Sequence, residues 1–466
     1  MKRLLSFLLS MLLVTVMLAG CGGGSTASST SSSSGTASST AASSSTGTAK
    51  SCINVGVSGT PDLDPAIANT GSSLISLVNI YDTLVYPSDK EQSGVTGRVA
   101  ESWSVSADGL TYTFKLKKGI KFHNGEELKA SDVVFTVDRM LTIGEGYSYL
   151  FTNCLKTGTT EAPDDYTVVF HLSETYGPFV SSLVRLGIVS EKEVRKHTVA
   201  DGTYGTNGDY GKAYLVTHDA GSGAYQATEL VQQDYFYAEK YDNWFMGWSS
   251  NQYAPKAFKL MAITQATTVR TMMNNKELDI TDQWQSTETL TALSQMKGVS
   301  IAEFSQGLEQ NMYFNTQAAP MDDINFRRAI CCLIDYKTIC KSILVDSVES
   351  AGPTPKSVNG HVDTTTFSYD LNNAREYIAA SKYANNYKNY PIEIVVNSDV
   401  ADLEKIALMI QSAAQQLGIT ITISKAPWVS LIDKMGSVDT SPQITSINSA
   451  PPINDAGVYL QSRYSK

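Results

Sequence analysis

Residues 100–136 read AESWSVSADGLTYTFKLKKGIKFHNGEELKASDVVFT and carry the strongest fold signal in the chain. Apolar and polar side chains alternate over 111–116, with Tyr112, Phe114 and Leu116 on one face. A period of two is typical of a half-buried strand. The sequence therefore predicts a strand here, preceded by a turn at Asp108-Gly109.

The second half of this stretch predicts a turn and a helix. A short strand over 120–122 leads into Asn124-Gly125, a dipeptide that favours tight turns because both residues tolerate positive φ. Ser131 or Asp132 is then placed to cap a helix, because a short polar side chain can accept from the free amides of the first turn. Its inner face holds three valines: Val133, Val134 and Val137.

The same block closely resembles the signature of the family 5 extracytoplasmic solute-binding proteins of ABC importers, the receptors for dipeptides, oligopeptides and nickel chelates. Five further blocks occur in the family's order, two before this stretch and three after it. They extend the resemblance from about Val55 to about Trp428. They are LDP at 63–65, YDTL at 81–84, GSGAY at 221–225, RTMMNNKELDI at 270–280 and YFNTQAAPMDDINFRRAICCLID at 313–335.

The resemblance implies an α/β, two-lobed periplasmic-binding-protein-like fold (type II, cluster C) with an extra inserted subdomain. Lobe I is expected from residues 52–80 and 196–301, the inserted subdomain from 81–195 and lobe II from 302–466. Family members usually continue past the point where this sequence stops. The resemblance therefore implies that the C-terminal part of lobe II is missing, the alternative being a naturally short variant.

The N-terminus has the features of a lipoprotein signal. Lys2-Arg3, an apolar run over 4–18 and the lipobox ending at Cys21 predict a signal peptide over 1–20 and lipidation of Cys21. The alternative is a transmembrane anchor. The tract 21–51 is rich in Ser, Thr, Gly and Ala, so it is expected to be a flexible tether. These features predict an extracytoplasmic protein, lipid-anchored to the outer face of the bacterial cell membrane.

Composition limits the classes of protein to which the chain can belong. The 466 residues are 42% hydrophobic and 18% charged, with a net charge of -10. This predicts a soluble body with no second membrane span and argues against nucleic acid as a partner. The cysteines after Cys21 follow no zinc spacing, so they are expected to be buried free thiols, the alternative being a disulfide.

Alternating strand and helix signals support the α/β class. The predicted helices cover 325–344 and 404–418, the second ended by Gly418. Further strands are expected at 53–57, 167–171, 260–264, 312–315, 392–397 and 419–424.

Seven residues are candidates for ligand binding in a cleft between the lobes, where apolar walls and a few polar groups are expected. Three follow the first strand, two follow the RTMMNNKELDI block, one lies where the chain crosses into lobe II, and one matches a family position that lines a side-chain pocket. In chain order they are Thr60, Asp62, Asp64, Gln283, Trp284, Asn315 and Trp428.

Alternatives remain open at several of these positions. Asp64 could start a turn before Pro65, and Asp62 could be solvated. Trp284 could stack on a ligand beside its two neighbouring glutamines or could simply pack. Asn315 could pair with extended ligand backbone or serve the hinge.

One departure from the family's pattern concerns the residues that bind the ligand. Peptide receptors of the family carry a Gly-Trp and then an aspartate, which pairs with the peptide's amino group, after a lobe II strand. Here the corresponding stretch is INSAPP at 447–452, without tryptophan or aspartate. Asp455 is the nearest following carboxylate and lies a few residues too late. The standard peptide interpretation is weakened, because a charge-assisted anchor is absent.

Catalysis has little support. The sequence contains no G-x-S-x-G, H-E-x-x-H or G-x-x-x-x-G-K-[ST] motif, and its five histidines are scattered. His123 lies three residues before Glu126, but a structural role is favoured over metal binding. No catalytic residue, metal or cofactor is predicted.

The sequence therefore predicts a substrate-binding lipoprotein of an ABC transporter, monomeric, that closes on a solute and delivers it to permease subunits in the membrane. A peptide is the favoured ligand, ahead of a nickel chelate or an oligosaccharide. Two other functions remain: a surface peptide sensor or chaperone without transport, and a secreted hydrolase, for which no catalytic constellation is visible.

Overall fold

A computed structural model describes residues 50–88, 94–304, 307–364 and 366–464. The predicted signal peptide, Cys21 and the tether up to residue 49 lie outside these ranges. Within them, no helix is both long and apolar enough to cross a membrane.

The strands of the described residues form four sheets. In chain order they are β1 (Cys52–Val57), β2 (Val85–Pro87), β3 (Val95–Gly97), β4 (Ala100–Val105), β5 (Thr111–Leu116), β6 (Thr160–Asp164), β7 (Thr167–His171), β8 (Tyr225–Val231), β9 (Tyr235–Lys240), β10 (Ala257–Ala262), β11 (Ile280–Thr281), β12 (Glu309–Phe314), β13 (Ile392–Asn397), β14 (Ile421–Ala426) and β15 (Ile444–Ser449).

The α-helices lie mainly between these strands. They are α1 (Gly71–Ile80), α2 (Ala130–Ile143), α3 (Phe179–Ser182), α4 (Glu191–Lys196), α5 (Lys212–Leu215), α6 (Ala266–Asn275), α7 (Thr287–Ser294), α8 (Ile324–Cys331), α9 (Tyr336–Ser342), α10 (Leu371–Ala380), α11 (Ala401–Gln415), α12 (Trp428–Met435) and α13 (Ala456–Tyr464). Single 3₁₀ turns occur at Ser148–Leu150, Leu183–Arg185, Gly205–Asn207, Ser249–Asn251 and Tyr387–Asn389.

The lobe I sheet has the strand order β11-β1-β10-β9-β8, and its strands fall within the predicted ranges 52–80 and 196–301. β1 is parallel to β10 and β11, whereas β9 is antiparallel to β10 and β8 is antiparallel to β9. The C-terminal ends of β1, β10 and β11 therefore share one edge with the hairpin between β8 and β9.

The inserted subdomain is built on the antiparallel sheet β4-β5-β7-β6. The alternation predicted for β5 is confirmed with its bounds, because Tyr112, Phe114 and Leu116 point into the core with α2 and α3 side chains. Trp103 stacks on Phe114 at the margin of this core, with ring centroids 5.8 Å apart.

Lobe II has the sheet order β12-β15-β13-β14. β13 is parallel to β14 and β15, and β12 is antiparallel to β15. The predicted bounds of β13 are confirmed. On one face of this sheet, α8, α10 and α11 bury a large apolar core whose α11 residues include Leu403, Ile406 and Ile410.

Several predicted elements require correction. The helix expected over 325–344 is two helices, α8 and α9, because Asp335 accepts from the amide of Thr338 at 3.0 Å and caps a new start. Neither Ser131 nor Asp132 is the N-cap of α2. That position is Lys129, whose amide donates to Asp132 at 2.9 Å.

Other strands begin a few residues away from their predicted starts, and one predicted strand is reduced to a bridge. β10 lies three residues earlier than expected at its start, and β12 likewise, whereas β14 starts two residues later. The strand expected over 120–122 is a single bridge between Lys121 and Glu127. Among the described cysteines, all are free thiols, but only Cys154 and Cys332 are buried.

The GSGAY block packs against the C-terminus of α1 through its two glycines. The amide of Gly223 donates to the carbonyl of Ile80 at 3.1 Å. A Cβ on Gly221 would lie 1.9 Å from the Ile80 carbonyl oxygen, and one on Gly223 would lie 2.4 Å from that of Asn79. Only glycine allows this approach of two backbones.

His123 fastens the signature block to the same turn. Its Nδ1 lies 2.8 Å from Asp219 Oδ1 and its Nε2 lies 3.0 Å from the carbonyl oxygen of Gly223. Both partners are acceptors, so both ring nitrogens carry a proton. Burial alone would lower the pKa of His123, but Asp219 and the Gly223 carbonyl outweigh it, and the pKa is raised. His123 is thus a structural imidazolium.

This arrangement predicts a pH-dependent contribution to stability. Because the folded-state pKa of His123 is raised, its contribution is fully present below about pH 6.5, the usual histidine value, and is lost as pH rises through the folded-state pKa. We expect His123→Gln to lower the free energy of unfolding by about 1–3 kcal/mol at pH 6 and by less at pH 9. Thermal unfolding of both proteins across this range measures the difference, and a constant difference would contradict the assignment.

Candidate functional site

The carboxyl edges of the two large sheets form the two sides of a candidate cleft. In lobe I, β1, β10 and β11 end at this edge, and in lobe II β13, β14 and β15 end together. Ligands of open α/β sheets bind outside the carboxyl ends of the strands, since loops and helix starts collect there. The residues that follow these six strands are therefore the candidates for ligand contact.

Contacts from the segment after β11 show that the two edges meet. Thr287 Oγ1 donates to the carbonyl of Ile343 at 2.7 Å, and the Thr287 amide lies 3.4 Å from Asp402 Oδ2. Lys405 Nζ pairs with both Glu288 and Asp402. Thr287 and Glu288 belong to lobe I and their partners to lobe II, so these contacts border the cleft.

Trp284 lies at this junction and is positioned by a local turn. The Asp282 amide donates to the carbonyl of Gly56 at 2.9 Å, which extends the β11 pairing with β1. Asp282 Oδ1 then accepts from the Trp284 amide and from Gln285 Nε2, each at 3.2 Å. The half-buried indole packs against the lobe II core, and its Nε1 lies 3.8 Å from the Cβ position of Gly71 in lobe I. Gln283, by contrast, is exposed.

Trp428 occupies the matching position in lobe II, at the start of α12 directly after β14. Its side chain is half-buried in a small cluster with Tyr313 and Leu431. Its amide donates to Asp399 Oδ2 at 3.1 Å. Asp399 itself follows β13, so two neighbouring strand ends are tied together at the cleft.

Asp282 and Asp399 were missed by the sequence reasoning. Burial is the largest cause of the raised pKa of Asp282, with hydrogen bonds from Gln285 and Trp284 opposing it and the Asp399 carboxylate raising it further. The signal that could have found Asp282 is an aspartate at a strand end two residues before a tryptophan.

Thr60 and Asp62 lie on the lobe I edge in the loop after β1. Thr60 Oγ1 accepts from the Gln233 amide at 3.2 Å, which ties the loop to the β8–β9 hairpin. The Asp62 amide donates to Ser73 Oγ at 3.0 Å. Burial, and then the neighbouring Asp64, raises the pKa of the half-buried Asp62. Both residues stay candidates.

The prediction that Asp64 contacts ligand is corrected here, because its carboxylate is already bound to other groups inside lobe I. Arg139 Nη1 and Nη2 donate to its two oxygens at 2.7 and 2.6 Å, and Arg139 Nε donates to the Tyr210 carbonyl at 2.8 Å. The exposed fractions of Asp64 and Arg139 are 0% and 1%. The structure therefore supports a structural ion pair here and not a ligand contact.

The prediction that Asn315 lies in the cleft is corrected as well. It follows the end of β12, and since β12 runs antiparallel to β15, this end lies opposite the carboxyl edge. Six residues of strand, about 20 Å, separate it from the cleft side. Its Nδ2 donates to the carbonyls of Val438 and Ser441 at 3.1 and 3.0 Å. Asn315 holds a loop on the far side of lobe II.

A hydroxyl network that reaches the Glu309 carboxylate through Tyr459 occupies the end of β15, where the sequence lacks the family's tryptophan and aspartate. Ser449 Oγ lies 2.8 Å from the hydroxyl of Tyr459 and accepts from Asn311 Nδ2 at 2.9 Å. Asp455 does not replace the missing carboxylate, because it accepts from the Val458 amide at 2.9 Å and caps α13.

A cavity of about 490 Å³ also lies along the free edge of β8, lined by residues that include Asn124, Tyr214 and His218. It is lined by residues of lobe I and of the inserted subdomain and is not the space between the facing sheet edges. Within the described ranges, no three His, Cys, Asp or Glu side chains are grouped as a metal site.

Comparison with known proteins agrees with this geometry. The sequence profile of the bacterial extracellular solute-binding proteins, family 5, matches residues 94–465. The chain belongs to this family. Its members are binding receptors, so membership assigns the two-lobed body to solute binding.

Individual family members can be compared over most of the chain. The probable D,D-dipeptide-binding periplasmic protein DdpA of Escherichia coli K12 is 27% identical over 405 residues, which cover 84% of this chain and 73% of DdpA. DppA of Helicobacter pylori in complex with the peptide STSA has a TM-score of 0.75 at 22% identity, over 88% of this chain and 80% of DppA.

A third relative confirms the fold. The dipeptide-binding protein of Pseudoalteromonas sp. SM9913, in complex with Met-Leu, has a TM-score of 0.77 at 18% identity, over 88% of this chain and 82% of that protein. The predicted two-lobed fold with an inserted subdomain is thus confirmed for this family 5 protein.

Proposed function

We propose that this chain is the substrate-binding lipoprotein of an ABC transporter, which captures an extracellular peptide between its two lobes and delivers it to a membrane permease. The observation that supports the proposal is the contact between the carboxyl edge of the lobe I sheet and lobe II, since ligands of open α/β sheets bind outside the carboxyl ends of the strands. Lipidation of Cys21 would hold the receptor at the outer face of the membrane, with 21–51 as the tether.

A peptide is the ligand class that the cleft and the relatives favour. Trp284 and Trp428 give it two flat apolar walls, while Gln283, Thr60 and Asp62 add polar groups from lobe I. Peptides or dipeptides are named in all three relatives described above. A ligand that touches both walls binds the closed arrangement better than the open one, and this difference drives closure.

The tryptophan walls supply a direct prediction. We expect Trp428→Ala or Trp284→Ala to weaken peptide affinity by about 10- to 100-fold, because each removes a large apolar surface from the contact. Isothermal titration with a peptide that binds the wild-type protein measures the change. Trp103→Phe is the matched control, since Trp103 stacks on Phe114 in the inserted subdomain and should leave affinity unchanged. Unaltered affinity in both cleft variants would contradict the placement of the site.

Native mass spectrometry of the purified chain tests the ligand class. A set of peptide masses that is released on denaturation would support the proposal. A single nickel-chelate or sugar mass would contradict peptide binding and favour one of the other ligand classes.

A further inference from the structure

A segment that belongs to lobe II along the chain packs into the inserted subdomain. Residues 452–459, here called the strap, closely follow the end of β15 and include the first turn of α13. Ile453 and Val458 of the strap are buried in the same apolar cluster as Phe179 and Leu183 of the inserted subdomain. Their exposed fractions are only 7% and 3%. The strap and the inserted subdomain therefore share one core.

Arg185 of the inserted subdomain binds the backbone of the strap. It lies in the same 3₁₀ turn as Leu183, and its Nε donates to the carbonyl of Pro452 at 2.7 Å. The half-buried guanidinium also lies over the ring of Tyr147, 5.0 Å from the ring centroid. A hydrogen bond with a charged donor is stronger than one between neutral groups. An apolar contact and a charge-assisted hydrogen bond thus join the strap to the inserted subdomain.

The other side of the strap is bonded within lobe II. The Asn359 amide donates to Asn454 Oδ1 at 2.9 Å, and the Ala456 amide donates to the Asn359 carbonyl at 2.9 Å. The Tyr459 hydroxyl lies 2.8 Å from Ser449 Oγ at the end of β15. Because β15 ends at the carboxyl edge of the lobe II sheet, the strap connects that edge to the inserted subdomain.

The contact with the strap acts at a distance from the strand ends of the candidate cleft. The six strands that end there, β1, β10, β11, β13, β14 and β15, all lie outside residues 81–195. The strap can share the core of the inserted subdomain only while the two lobes lie together, and separation returns its apolar surface to water. The contact is also separate from the junction between Thr287 and Ile343. It therefore stabilises the closed arrangement independently of that junction.

We propose that the inserted subdomain is a dock for the strap, and that Arg185 and Ile453 are positioning residues for peptide binding. Docking lowers the free energy of the closed arrangement and acts through lobe closure, not through contact with the ligand. The ligand is then held more tightly, because it supplies less of the free energy of closure itself. This role rests on the proposed function, namely that the ligand binds between the lobes.

Small-angle X-ray scattering of the ligand-free chain tests the docking without any ligand. We expect Arg185→Met and Ile453→Ser each to raise the radius of gyration, because the open arrangement becomes more populated. The two residues lie on opposite sides of one contact, so the double variant should gain less than the sum. Arg195→Met is the matched control, since Arg195 also lies over an aromatic ring but is exposed and pairs with Glu191. Radii equal to that of the control, or a fully additive double variant, would overturn the proposal.

Circular dichroism and the melting temperature show whether each variant is folded. Val458→Ala is a milder change at the same contact and takes the place of Ile453→Ser if that variant does not fold. A larger radius of gyration in a variant with the wild-type circular dichroism spectrum is then a change in the arrangement of the lobes and not in their folding.

Binding kinetics test the link to the ligand. The probes are Met-Leu and STSA, the peptides bound by the two structurally similar proteins described above, measured by stopped-flow fluorescence. We expect Arg185→Met to weaken affinity roughly fivefold or more, mainly through faster dissociation, and Arg195→Met to leave it unchanged. Unchanged affinity in a variant with a larger radius of gyration would overturn the positioning role. Binding of neither peptide by the wild-type chain would count against the proposed peptide function, while the scattering still decides whether the strap docks.

Discussion

Replacement of Arg139 by methionine is expected to destabilise the folded chain by about 3–5 kcal/mol, because it leaves the Asp64 carboxylate buried without its partner. Asp64 has no exposed surface, and both of its oxygens accept from Arg139. The Ala66 amide, 2.9 Å from Asp64 Oδ1, then remains as a neutral donor and supplies no compensating charge. Urea denaturation followed by circular dichroism measures the loss.

The double variant Asp64→Asn with Arg139→Met separates the charge from the packing. We expect it to be less destabilised than Arg139→Met alone, since no ionised group then remains unpaired. Asp62→Asn is the control, because Asp62 is half-buried and pairs with no arginine among the described residues. A double variant that loses the sum of both single effects would contradict a coupled ion pair. Because Asp64 lies outside the cleft, peptide affinity should be unchanged wherever the variant folds.

Gly221→Ala is expected to cost at least about 3 kcal/mol or to prevent folding, because the added methyl group meets backbone and not a movable side chain. The Cβ would lie 1.9 Å from the carbonyl oxygen of Ile80. Relief requires the end of α1 and the GSGAY turn to separate, and this would also break the hydrogen bond from Gly223 to Ile80. Soluble yield and melting temperature measure the effect.

Gly59→Ala is the matched control for this prediction. No atom lies within 4 Å of a Cβ at Gly59, and its φ lies outside the left-handed region. We expect its melting temperature to stay at or slightly above the wild-type value, since alanine restricts the unfolded chain. A Gly221→Ala variant as stable as Gly59→Ala would contradict the close approach of the two backbones.

The fold could be predicted where local pattern and tertiary burial coincide. The alternation in β5 and the apolar run in β13 gave the observed bounds, because each faces a core in the way its pattern indicates. The split between α8 and α9 has a local cause, the Asp335 cap, which the apolar pattern outweighed in the prediction. β10 shifted because its register is fixed by pairing with Cys52–Val57, which no local pattern contains.

The candidate site was predictable only in part, for a related reason. Trp284 and Trp428 follow strands, so their place at the sheet edges could be inferred from the sequence. The role of Asp64 could not, since Arg139 lies 75 residues away along the chain. Asn315 was misplaced because the direction of β12 in its sheet was unknown.

The distribution of the five tryptophans gives the protein an optical property. Trp103 stacks on Phe114, and Trp244 packs against Trp248 with ring centroids 5.3 Å apart, all away from the facing sheet edges. Only Trp284 and Trp428 stand at those edges. With phenylalanine at the other three positions, the tryptophan emission of the chain would come from the cleft alone. Such a variant would be a dye-free sensor that reports its own occupancy by colour and intensity.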